Sequence, residues 1–390
     1  MITIAWGVTG LAVLLLAITS WRRSTRNTQS VMRAALAILA SAALSVALAG
    51  SLLAGGLLLV DVLLVAATWY LAHTRRMQTR LGIVWIGILV IVLVVAKLPT
   101  QSTLGPATWI GISYLIFRLI HVAIDARRDR LGGETLGDTL VYALHPATLV
   151  AGPIDRVQHN VSEQHCDITD PAPYVNDGLW RLFIGLFKKA VLANLCYVFI
   201  AQHDMAHQPD QPIGIAWLWL VAYAFYLYFD FAAYSDLALG IGRLMGIRLP
   251  ENFANPYLQP TIGRFWQTWH ITLSNWLRDY IFFPMSRSLL KRYGSSRSTP
   301  ILLASHLTTM VVCGLWHGLG SGFIAWGVWH GLGLFGLSQV PALRRRFNLP
   351  ILPTALSIVL TFCFVTLGWV FFSTDLPTAL RIFGRLFGIS

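Results

Sequence analysis

Residues 81–96 read LGIVWIGILVIVLVVA, an unbroken apolar run bounded by Arg80 and Lys97. With its flanks, such a run is long enough to cross the hydrocarbon core of a bilayer as a helix. Comparable runs recur along the chain, which has 390 residues, 56% of them hydrophobic and only 12% charged. Soluble domains carry roughly 25% charged residues, so this composition excludes a soluble globular protein. The sequence therefore predicts an all-α, polytopic integral membrane protein.

The other apolar runs bring the expected number of transmembrane helices to about ten, at roughly 20 residues each. The run 34–72 is too long for one span and carries Gly50, Gly55 and Gly56 in its middle, so it predicts two helices joined by a turn. The remaining predicted helices are 2–21, one that ends near 125, 178–200, 213–233, 301–316, 323–337 and 354–372. The segment 375–389 predicts a short amphipathic helix at the membrane interface.

Basic residues outnumber acidic residues by 29 to 17, which gives a net charge of +12. In a soluble protein this excess would suggest nucleic acid, but the cytoplasmic loops of membrane proteins collect Lys and Arg. The loops at 22–33, 75–80 and 127–130 are basic, whereas the loops between them carry almost no cations. This alternation predicts Met1 outside the membrane and the three basic loops inside, and it predicts no nucleic-acid partner.

Two stretches do not fit simple spanning helices. Residues 136–177 contain Pro146, Gly152 and Pro153, and residues 246–284 combine polar groups with aromatic rings. Irregular backbone at membrane depth is tolerated only where it is buried in protein or lines a watery cavity. Both stretches are therefore predicted to be re-entrant segments around a site.

Two histidines stand out from this apolar and aromatic background. His317 occurs in GLWHG (314–318), within a run that is otherwise apolar, and His270 occurs in FWQTWHITLSNWLRD (265–279). An ionisable residue inside a membrane segment is costly to insert, so it is a functional candidate. The alternatives are a buried histidine bound to a backbone carbonyl for His317, and an interfacial histidine in an aromatic belt for His270. Together these residues suggest a proton-handling histidine in a buried polar channel.

Carboxylates in the same region have a structural interpretation. Asp230 and Asp236 are six residues apart on a predicted helix, so they lie on different faces and need not form a pair. Asp236 and Glu251 are predicted to anchor nearby cations in structural ion pairs. The candidate cations are Arg243, Arg248 and Arg264.

Two further residues lie at spacings from His317 that would suit a catalytic or a haem-binding role. Cys313 precedes it by four residues, so the two would share a helical face as nucleophile and base. A free cysteine is more commonly an inert buried thiol, which is the interpretation we favour. His330 follows His317 by thirteen residues, a spacing that suits two haem ligands on one helix face, but the glycines between them argue against one continuous helix.

The motifs between residues 228 and 317 resemble the membrane-bound O-acyltransferase family. The resemblance is to its bacterial branch, which contains alginate O-acetyltransferases and the D-alanyl transfer proteins of lipoteichoic acid synthesis. It runs from about Trp109 to the end of the chain and includes YFDFAAYSD (228–236) beside the two histidine motifs. Further matching elements are GISY (111–114), VAGPI (150–154), GLFKK (185–189) and LGWVFF (367–372).

The resemblance implies a single membrane-embedded acyltransferase domain over residues 1–390, with variable N-terminal helices at 1–106 and the family core at 107–390. Its helices would form a ring around a central tunnel, in the cytoplasmic (inner) membrane of a bacterial cell. A small acyl group, D-alanyl or acetyl, would pass from a cytoplasmic thioester donor to a hydroxyl of an extracytoplasmic cell-envelope polymer or glycan.

The same resemblance implies partners. The expected donor is the phosphopantetheine of an acyl carrier protein, or acyl-CoA, acting as a substrate. No bound cofactor and no metal is expected. An accessory envelope protein is a further expected partner, besides the lipid bilayer and the acceptor outside.

The resemblance also assigns roles to residues. The catalytic histidine of the family matches His317, which would act as general base, and the second characteristic polar residue matches His270. The predicted substrate-binding residues are Trp316, Trp269, Asn275, Asp236 and Tyr234. The first three of these carry side-chain N–H groups that can donate to a developing oxyanion.

One element departs from the alginate type. After RDY (278–280), that type shows a Gly-Gly-Asn-Arg element a few residues on, whereas here residues 284–288 read PMSRS. The chain is also short for that subgroup, so both features favour D-alanyl or a related small acyl group. The alternatives are exopolysaccharide O-acetylation of the alginate type, a transporter or flippase with broken helices, and a membrane haem protein that uses His317 and His330.

Overall fold

The computed structural model describes residues 26–49, 52–98, 109–207, 211–348 and 350–389. Regular structure within these ranges is helical, and the β-type pairing found there is an isolated bridge between Phe253 and Trp269. The all-α, polytopic prediction is therefore confirmed. The predicted helix 2–21 lies outside the described residues.

The chain divides into two compact units, of which the first combines residues up to Gly185 with Tyr234–Pro250. Its helices are α1 (Arg26–Ala49), α2 (Leu52–His73), α3 (Arg80–Lys97), α4 (Ile112–Arg127), α5 (Leu136–Ala143), α6 (Val157–Gln164) and most of α7 (Ala172–Phe187). The pair α1 and α2 confirms the two helices expected in the long apolar run 34–72. Helix α3 confirms the expected span at 81–96 to within a residue at each end.

The second unit combines Leu186–Ala233 with the chain from Glu251 onwards. A π-helix at Lys188–Ala193 joins α7 to α8 (Asn194–Gln202), and the long α9 (Ile213–Leu244) passes from the second unit into the first. The later elements are α10 (Ile262–Thr268), α11 (Ile271–Leu277), a π-helix at Arg278–Phe282, α12 (Phe283–Tyr293), α13 (Ser298–His317), α14 (Ser321–Phe347), α15 (Thr354–Ser373) and α16 (Leu376–Phe387).

Six helical segments in the described part of the chain are long and apolar enough to cross a membrane. They are Gly56–His73, Arg80–Lys97, Ala172–Gln202, Ile213–Leu244, Ser295–His317 and Thr354–Ser373, and α1 adds a shorter apolar stretch at Met32–Leu48. The total of about ten spans and the central tunnel remain predictions.

Two helices extend further than predicted. Helix α9 continues to Leu244 instead of ending at 233, and Asp236 within this extension has an ion-pair partner in Arg181. Helix α14 continues through Pro341 to Phe347 instead of ending at 337, into a segment of mostly exposed residues.

The irregular stretch 136–177 consists of α5, α6 and loops that buried polar groups hold in place. The guanidinium of Arg118 on α4 is buried and donates to the backbone carbonyl oxygens of Ala143, at 2.6 Å, and of Thr148. These bonds provide donors for backbone carbonyl groups that do not accept hydrogen bonds within a regular helix. Irregular backbone is thus stabilised inside the unit, and its re-entrant nature stays a prediction.

Helices α13 and α14 pack closely and hold the end of α13 in position. A Cβ at Gly314 would overlap the carbonyl oxygen of Phe323, and one at Gly327 would lie 2.5 Å from the carbonyl oxygen of Met310. Small residues of this kind let membrane helices approach closely. Helix α13 ends at His317 and α14 begins at Ser321, so the expected break between His317 and His330 is confirmed.

The helix predicted near the C-terminus is observed as α16, and its position at the membrane interface stays a prediction. The side chain of Asp375 caps it by accepting from the backbone N–H of Thr378 at 3.0 Å. Its buried side chains Ala379, Ile382 and Leu386 join a cluster that includes Trp219 of α9. The face of α16 that carries these three side chains therefore packs against other helices of the second unit.

Candidate active site

A cavity of about 170 Å³ lies within the second unit and contains both histidines singled out from the sequence. Its titratable lining residues are Asp230, His270 and His317. The rest of the wall is apolar or aromatic: Leu227, Phe231, Trp266, Trp269, Leu273, Trp326, Trp369 and Phe372. The arrangement is a small hydrophobic chamber with a few convergent polar groups, the usual character of a ligand site.

His317 reaches this cavity as the last residue of α13, where the chain leaves the helix at the extended Gly318. Its ring centroid lies 4.9 Å from that of Phe372 and 5.5 Å from that of Trp326, and both pairs meet edge to face. These aromatic rings pack against the imidazole and confine it. A helix C-terminus also favours positive charge, so this position stabilises an imidazolium when one forms.

His270 lies between α10 and α11, with a backbone φ of 44°. Non-glycine residues rarely adopt this left-handed conformation, although histidine is among those enriched in it. The side chain is buried, at 2% exposure. The turn carries the imidazole from the end of one short helix towards the cavity wall, and such backbone strain is often found at functional sites.

The imidazole of His270 is oriented by a polar cluster behind it. Its Nδ1 lies 3.1 Å from Oδ1 of Asn252, which also accepts from Oγ1 of Thr272 at 2.9 Å. Because an amide oxygen only accepts hydrogen bonds, Nδ1 carries the proton in the neutral ring. The Nε2 atom is buried and has no hydrogen-bond partner among the described residues.

His270 is held in the neutral form. Burial, with a smaller contribution from nearby His317, lowers the pKa of the His270 imidazole well below its usual range. Desolvation disfavours the charged form of a histidine. His270, which lines the cavity, therefore keeps an unprotonated Nε2 that can accept a hydrogen bond.

The tryptophans named from the sequence lie at and behind the cavity wall. Trp269 lines the cavity, and its ring centroid is 5.1 Å from that of Trp369. Trp316 is buried, with ring centroids 4.7 Å from His317 and 6.2 Å from His270. Trp316 therefore packs beside both histidine rings, whereas Trp269 lines the cavity.

Asn275 lies on a second cavity of the same unit, with a volume of about 240 Å³. Gln267, Arg278 and His306 line it as well, and Trp266 belongs to the walls of both cavities. The predicted oxyanion role of Asn275 stays a prediction, but its observed position is the neighbouring chamber.

Tyr234 and Asp236 belong to the first unit. The hydroxyl of Tyr234 donates to the carbonyl oxygen of Ala147 at 3.4 Å. Asp236 forms an ion pair with Arg181 at 2.8 Å, and Arg181 is not one of the arginines suggested from the sequence. Arg243, one of those arginines, pairs with Asp177 at 2.7 Å. A structural ion pair at Asp236 is thus observed, with a different partner, and the substrate contacts of both residues remain predictions.

The cavity also contains a carboxylate that sequence reasoning did not select. Asp230 lines the wall with the two histidines, and its Oδ1 contacts Nζ of Lys189. The expectation that Asp230 and Asp236 do not pair is consistent with their separate partners. Lys189 belongs to the matching motif GLFKK. No periodicity in the sequence indicates that it contacts Asp230, forty-one positions later.

The other two residues considered near His317 are deeply buried. Cys313 is fully buried, which agrees with the inert thiol favoured above. His330 is also fully buried, and both of its ring nitrogens are without hydrogen-bond partners in the part of the chain that the structure describes. Its ring centroid lies 5.0 Å from that of Trp326, and the ring of His317 packs against the same indole, with centroids 5.5 Å apart.

The chain is similar to several proteins that are named for acyl transfer. Over 285 residues it is 36% identical to the "Probable alginate O-acetylase" of Pseudomonas fluorescens, covering 71% of this chain and 54% of that protein. It is 35% identical to the "Peptidoglycan O-acetyltransferase" of Helicobacter pylori, over 66% of this chain and 48% of that protein. It is 29% identical to the "Teichoic acid D-alanyltransferase" of Bacillus subtilis, over 68% of this chain and 69% of that protein.

The chain spans about half the length of the first of these relatives. Residues 99–375 match the family described as MBOAT, the membrane-bound O-acyltransferase family, and this range contains every residue that lines the cavity around His270 and His317. The chain belongs to the membrane-bound O-acyltransferase family.

Proposed function

We propose that this chain is an O-acyltransferase of the bacterial cytoplasmic membrane. It transfers a small acyl group, D-alanyl or acetyl, from a cytoplasmic thioester donor to a hydroxyl of an extracytoplasmic cell-envelope polymer or glycan. The observation that carries this proposal is that His270 and His317 line one small, aromatic-walled cavity. Exopolysaccharide O-acetylation of the alginate type is one form of this function. The domain is proposed to extend over 1–390, with its core at 107–390.

In the proposed reaction, His317 is the general base. Its neutral imidazole accepts the proton of the acceptor hydroxyl while that oxygen attacks the thioester carbonyl carbon. The C–S bond of the resulting tetrahedral intermediate then breaks, and the imidazolium returns the proton to the leaving thiolate. The products are an ester and a free thiol, and the histidine ends in its starting form. The position of His317 at the C-terminus of α13 supports the transient positive charge.

His270 holds the acceptor for this step. With Nδ1 bonded to Asn252, its free Nε2 lone pair can accept the hydrogen bond of a hydroxyl group that enters the cavity. The lowered pKa keeps this nitrogen unprotonated. His270 thus positions the hydroxyl near His317 or shares its proton.

The oxyanion of the intermediate needs donors, and two cavity-lining indoles are suited to this role. The Nε1–H groups of Trp266 and Trp326 are buried and have no acceptor among the described residues. An unsatisfied buried donor costs roughly 1–3 kcal/mol, a cost that is recovered when a substrate oxygen accepts the bond. We therefore add Trp266 and Trp326 to the candidate donors Trp269 and Trp316.

The proposed donor side is a carrier-bound phosphopantetheine or acyl-CoA. The exposed cations Arg287, Lys291 and Arg292 on α12 would complement an acidic acyl carrier protein and speed its encounter. An accessory envelope protein would complete delivery to the acceptor outside.

The experiment that tests this function measures ester-linked acyl groups in the cell envelope. His317→Ala is expressed at matched membrane levels in a strain lacking the wild-type gene, and alkali-released acetate and D-alanine are quantified. Loss of a general base is expected to reduce transfer by about 10²–10⁴-fold. Cys313→Ala is the matched control, one helical turn away, and should keep activity because transfer is direct. Near-normal acylation in His317→Ala would remove His317 from the mechanism.

A further inference from the structure

His330 lies where three helices that build the wall of the candidate active site meet. It belongs to α14, is fully buried and is not itself a lining residue of the cavity. Its ring contacts three indoles that do line the cavity. The centroid distances are 5.2 Å to Trp266 of α10, 5.0 Å to Trp326 of α14 and 6.1 Å to Trp369 of α15. His330 therefore supports the cavity wall from behind.

The imidazole of His330 is held by packing and not by hydrogen bonds. Neither of its nitrogens has a hydrogen-bond partner among the residues that the structure describes. On the side of α15 the ring meets the backbone, because a Cβ at Gly368 would lie 2.9 Å from Nε2. Closely packed interiors transmit strain, since they leave little free volume in which a side chain can yield. A displacement of the imidazole is therefore passed on to the indoles that it contacts.

Two of these indoles are candidate oxyanion donors. The Nε1–H groups of Trp266 and Trp326 are buried without an acceptor among the described residues, and the two ring centroids are 5.7 Å apart. An oxyanion donor is effective within about 2.7–3.1 Å of the position that the oxyanion will occupy. A misplacement of about 1 Å can reduce the rate by about 10²-fold. The reaction should therefore depend on the residue that fixes both rings.

Stability alone does not account for a histidine at this position. A buried polar group without a partner destabilises the fold, and a leucine would avoid that cost. A leucine would also lack the flat ring that meets the indole of Trp266 at an interplanar angle of 84°. The planar imidazole fits between Gly368 and the indoles, so its shape serves the arrangement of the wall and its polarity does not serve stability.

We propose that His330 is a positioning residue of the acyl-transfer reaction. Its imidazole, packed against α15 at Gly368, fixes the indoles of Trp266 and Trp326 so that their N–H groups meet the developing oxyanion. This inference rests on the proposed function and deepens it. His330 contacts no reacting atom, and its role replaces the haem ligation that its spacing from His317 suggested.

Two variants test this role from opposite sides of the ring. His330→Leu removes the planar ring and its two unpartnered nitrogens, so kcat should fall by about tenfold or more, while the Tm stays the same or rises. Gly368→Ala keeps the histidine, but the new Cβ forces the imidazole or α15 to shift, so kcat should fall with KM unchanged. Gly178→Ala in the first unit is the matched control, because its Cβ would lie 3.0 Å from the side chain of Leu244. The control should keep the wild-type kcat.

Each variant is compared with the wild type as the full-length protein at matched membrane levels. Thiol release from S-acetyl-pantetheine and from S-D-alanyl-pantetheine is followed over a concentration series, in bacterial membranes that supply the acceptor. Membranes without the protein are the blank, and the series gives kcat and KM. Thermal unfolding of the purified proteins gives the Tm. Their near-ultraviolet circular dichroism reports the arrangement of the packed indoles and requires no substrate.

The expected result is a lower kcat with unchanged KM and no loss of Tm in His330→Leu, and a changed near-ultraviolet spectrum in both variants. A wild-type kcat in either variant would overturn the positioning role, as would an unchanged spectrum or an equal loss of kcat in Gly178→Ala. A loss of kcat in His330→Leu that accompanies a loss of Tm would make the residue merely structural. Failure of the proposed function is distinguishable, because it appears as unchanged envelope acylation in His317→Ala.

Discussion

Nδ1 of His270 lies 3.1 Å from Oδ1 of Asn252, a residue eighteen positions earlier in the chain. This bond fixes the tautomer, because the amide oxygen requires a proton on Nδ1 and leaves the lone pair of Nε2 free. Asn252 is itself buried and also accepts from the backbone N–H of Thr272 at 3.3 Å. The side chain of Asn252 thus sets the orientation of His270 without itself contacting the substrate.

The first prediction tests this positioning role. Asn252→Asp replaces the amide oxygen with a carboxylate, which keeps the bond to Nδ1 but stabilises the imidazolium and raises the pKa of His270. Because the proposed mechanism needs neutral His270, the acidic limb of the pH–rate profile should move to higher pH. The measurement is acyl transfer in membranes over a pH series, with wild type and variant at matched expression. If the acidic limb of the profile does not move, the protonation state of His270 does not affect acyl transfer.

The second prediction concerns the oxyanion donors. Trp326→Phe keeps an aromatic ring but removes the buried N–H, so acyl transfer at saturating donor should fall by roughly 10²-fold, as for loss of one oxyanion donor, with little change in KM. Trp219→Phe is the control, since Trp219 also has a buried N–H without a partner among the described residues but lies in the cluster under α16. Equal effects of the two variants would show that the loss reflects packing.

The third prediction concerns donor docking. Reversal of Arg287, Lys291 and Arg292 to Glu should weaken use of a carrier-bound donor strongly at low salt and less at high salt, because salt screens exposed charges. The control reverses the three arginines at 344–346, which are also basic and lie at the end of α14. Transfer rate is measured against carrier concentration at two ionic strengths. Superimposable curves for the α12 variant and the wild type would mean that these cations act only as a topology signal.

The fourth prediction uses a titrating pair outside the spanning helices. Nδ1 of His159 lies 2.9 Å from Oδ1 of Asp155, and this hydrogen bond raises the pKa of His159. A raised folded-state pKa stabilises the fold below the unfolded-state value, and this contribution disappears as the pH rises through the folded-state value. His159→Gln should therefore lower the Tm in acid and leave it unchanged in alkali.

The measurement for this pair is thermal unfolding of the purified wild type and His159→Gln over a pH series in the same detergent. The side chain of His159 is 45% exposed, so the difference in Tm should be small. A difference that persists undiminished at alkaline pH would contradict the prediction, because it would come from packing and not from charge.

Much of the architecture was predictable because membrane insertion depends on local composition. The run 81–96 corresponds to α3 at Arg80–Lys97, since hydrophobic length alone decides a span. The glycines after His317 correctly predicted the break between α13 and α14. His270 and His317 were selected because polar groups are costly in an apolar setting, and that cost is visible in the sequence.

What the sequence by itself determined, then, is the helical membrane architecture and the two histidines that stand out from it. Only the tertiary structure decided which carboxylate shares their cavity, since Asp230 and Asp236 look alike in the motif but Asp230 pairs with Lys189 and lines the chamber. It also decided that Asn252 orients His270 and that Asn275 faces a different cavity. Insertion cost is a property of each residue and its neighbours in sequence, whereas these contacts join residues eighteen or forty-one positions apart and arise only when helices pack.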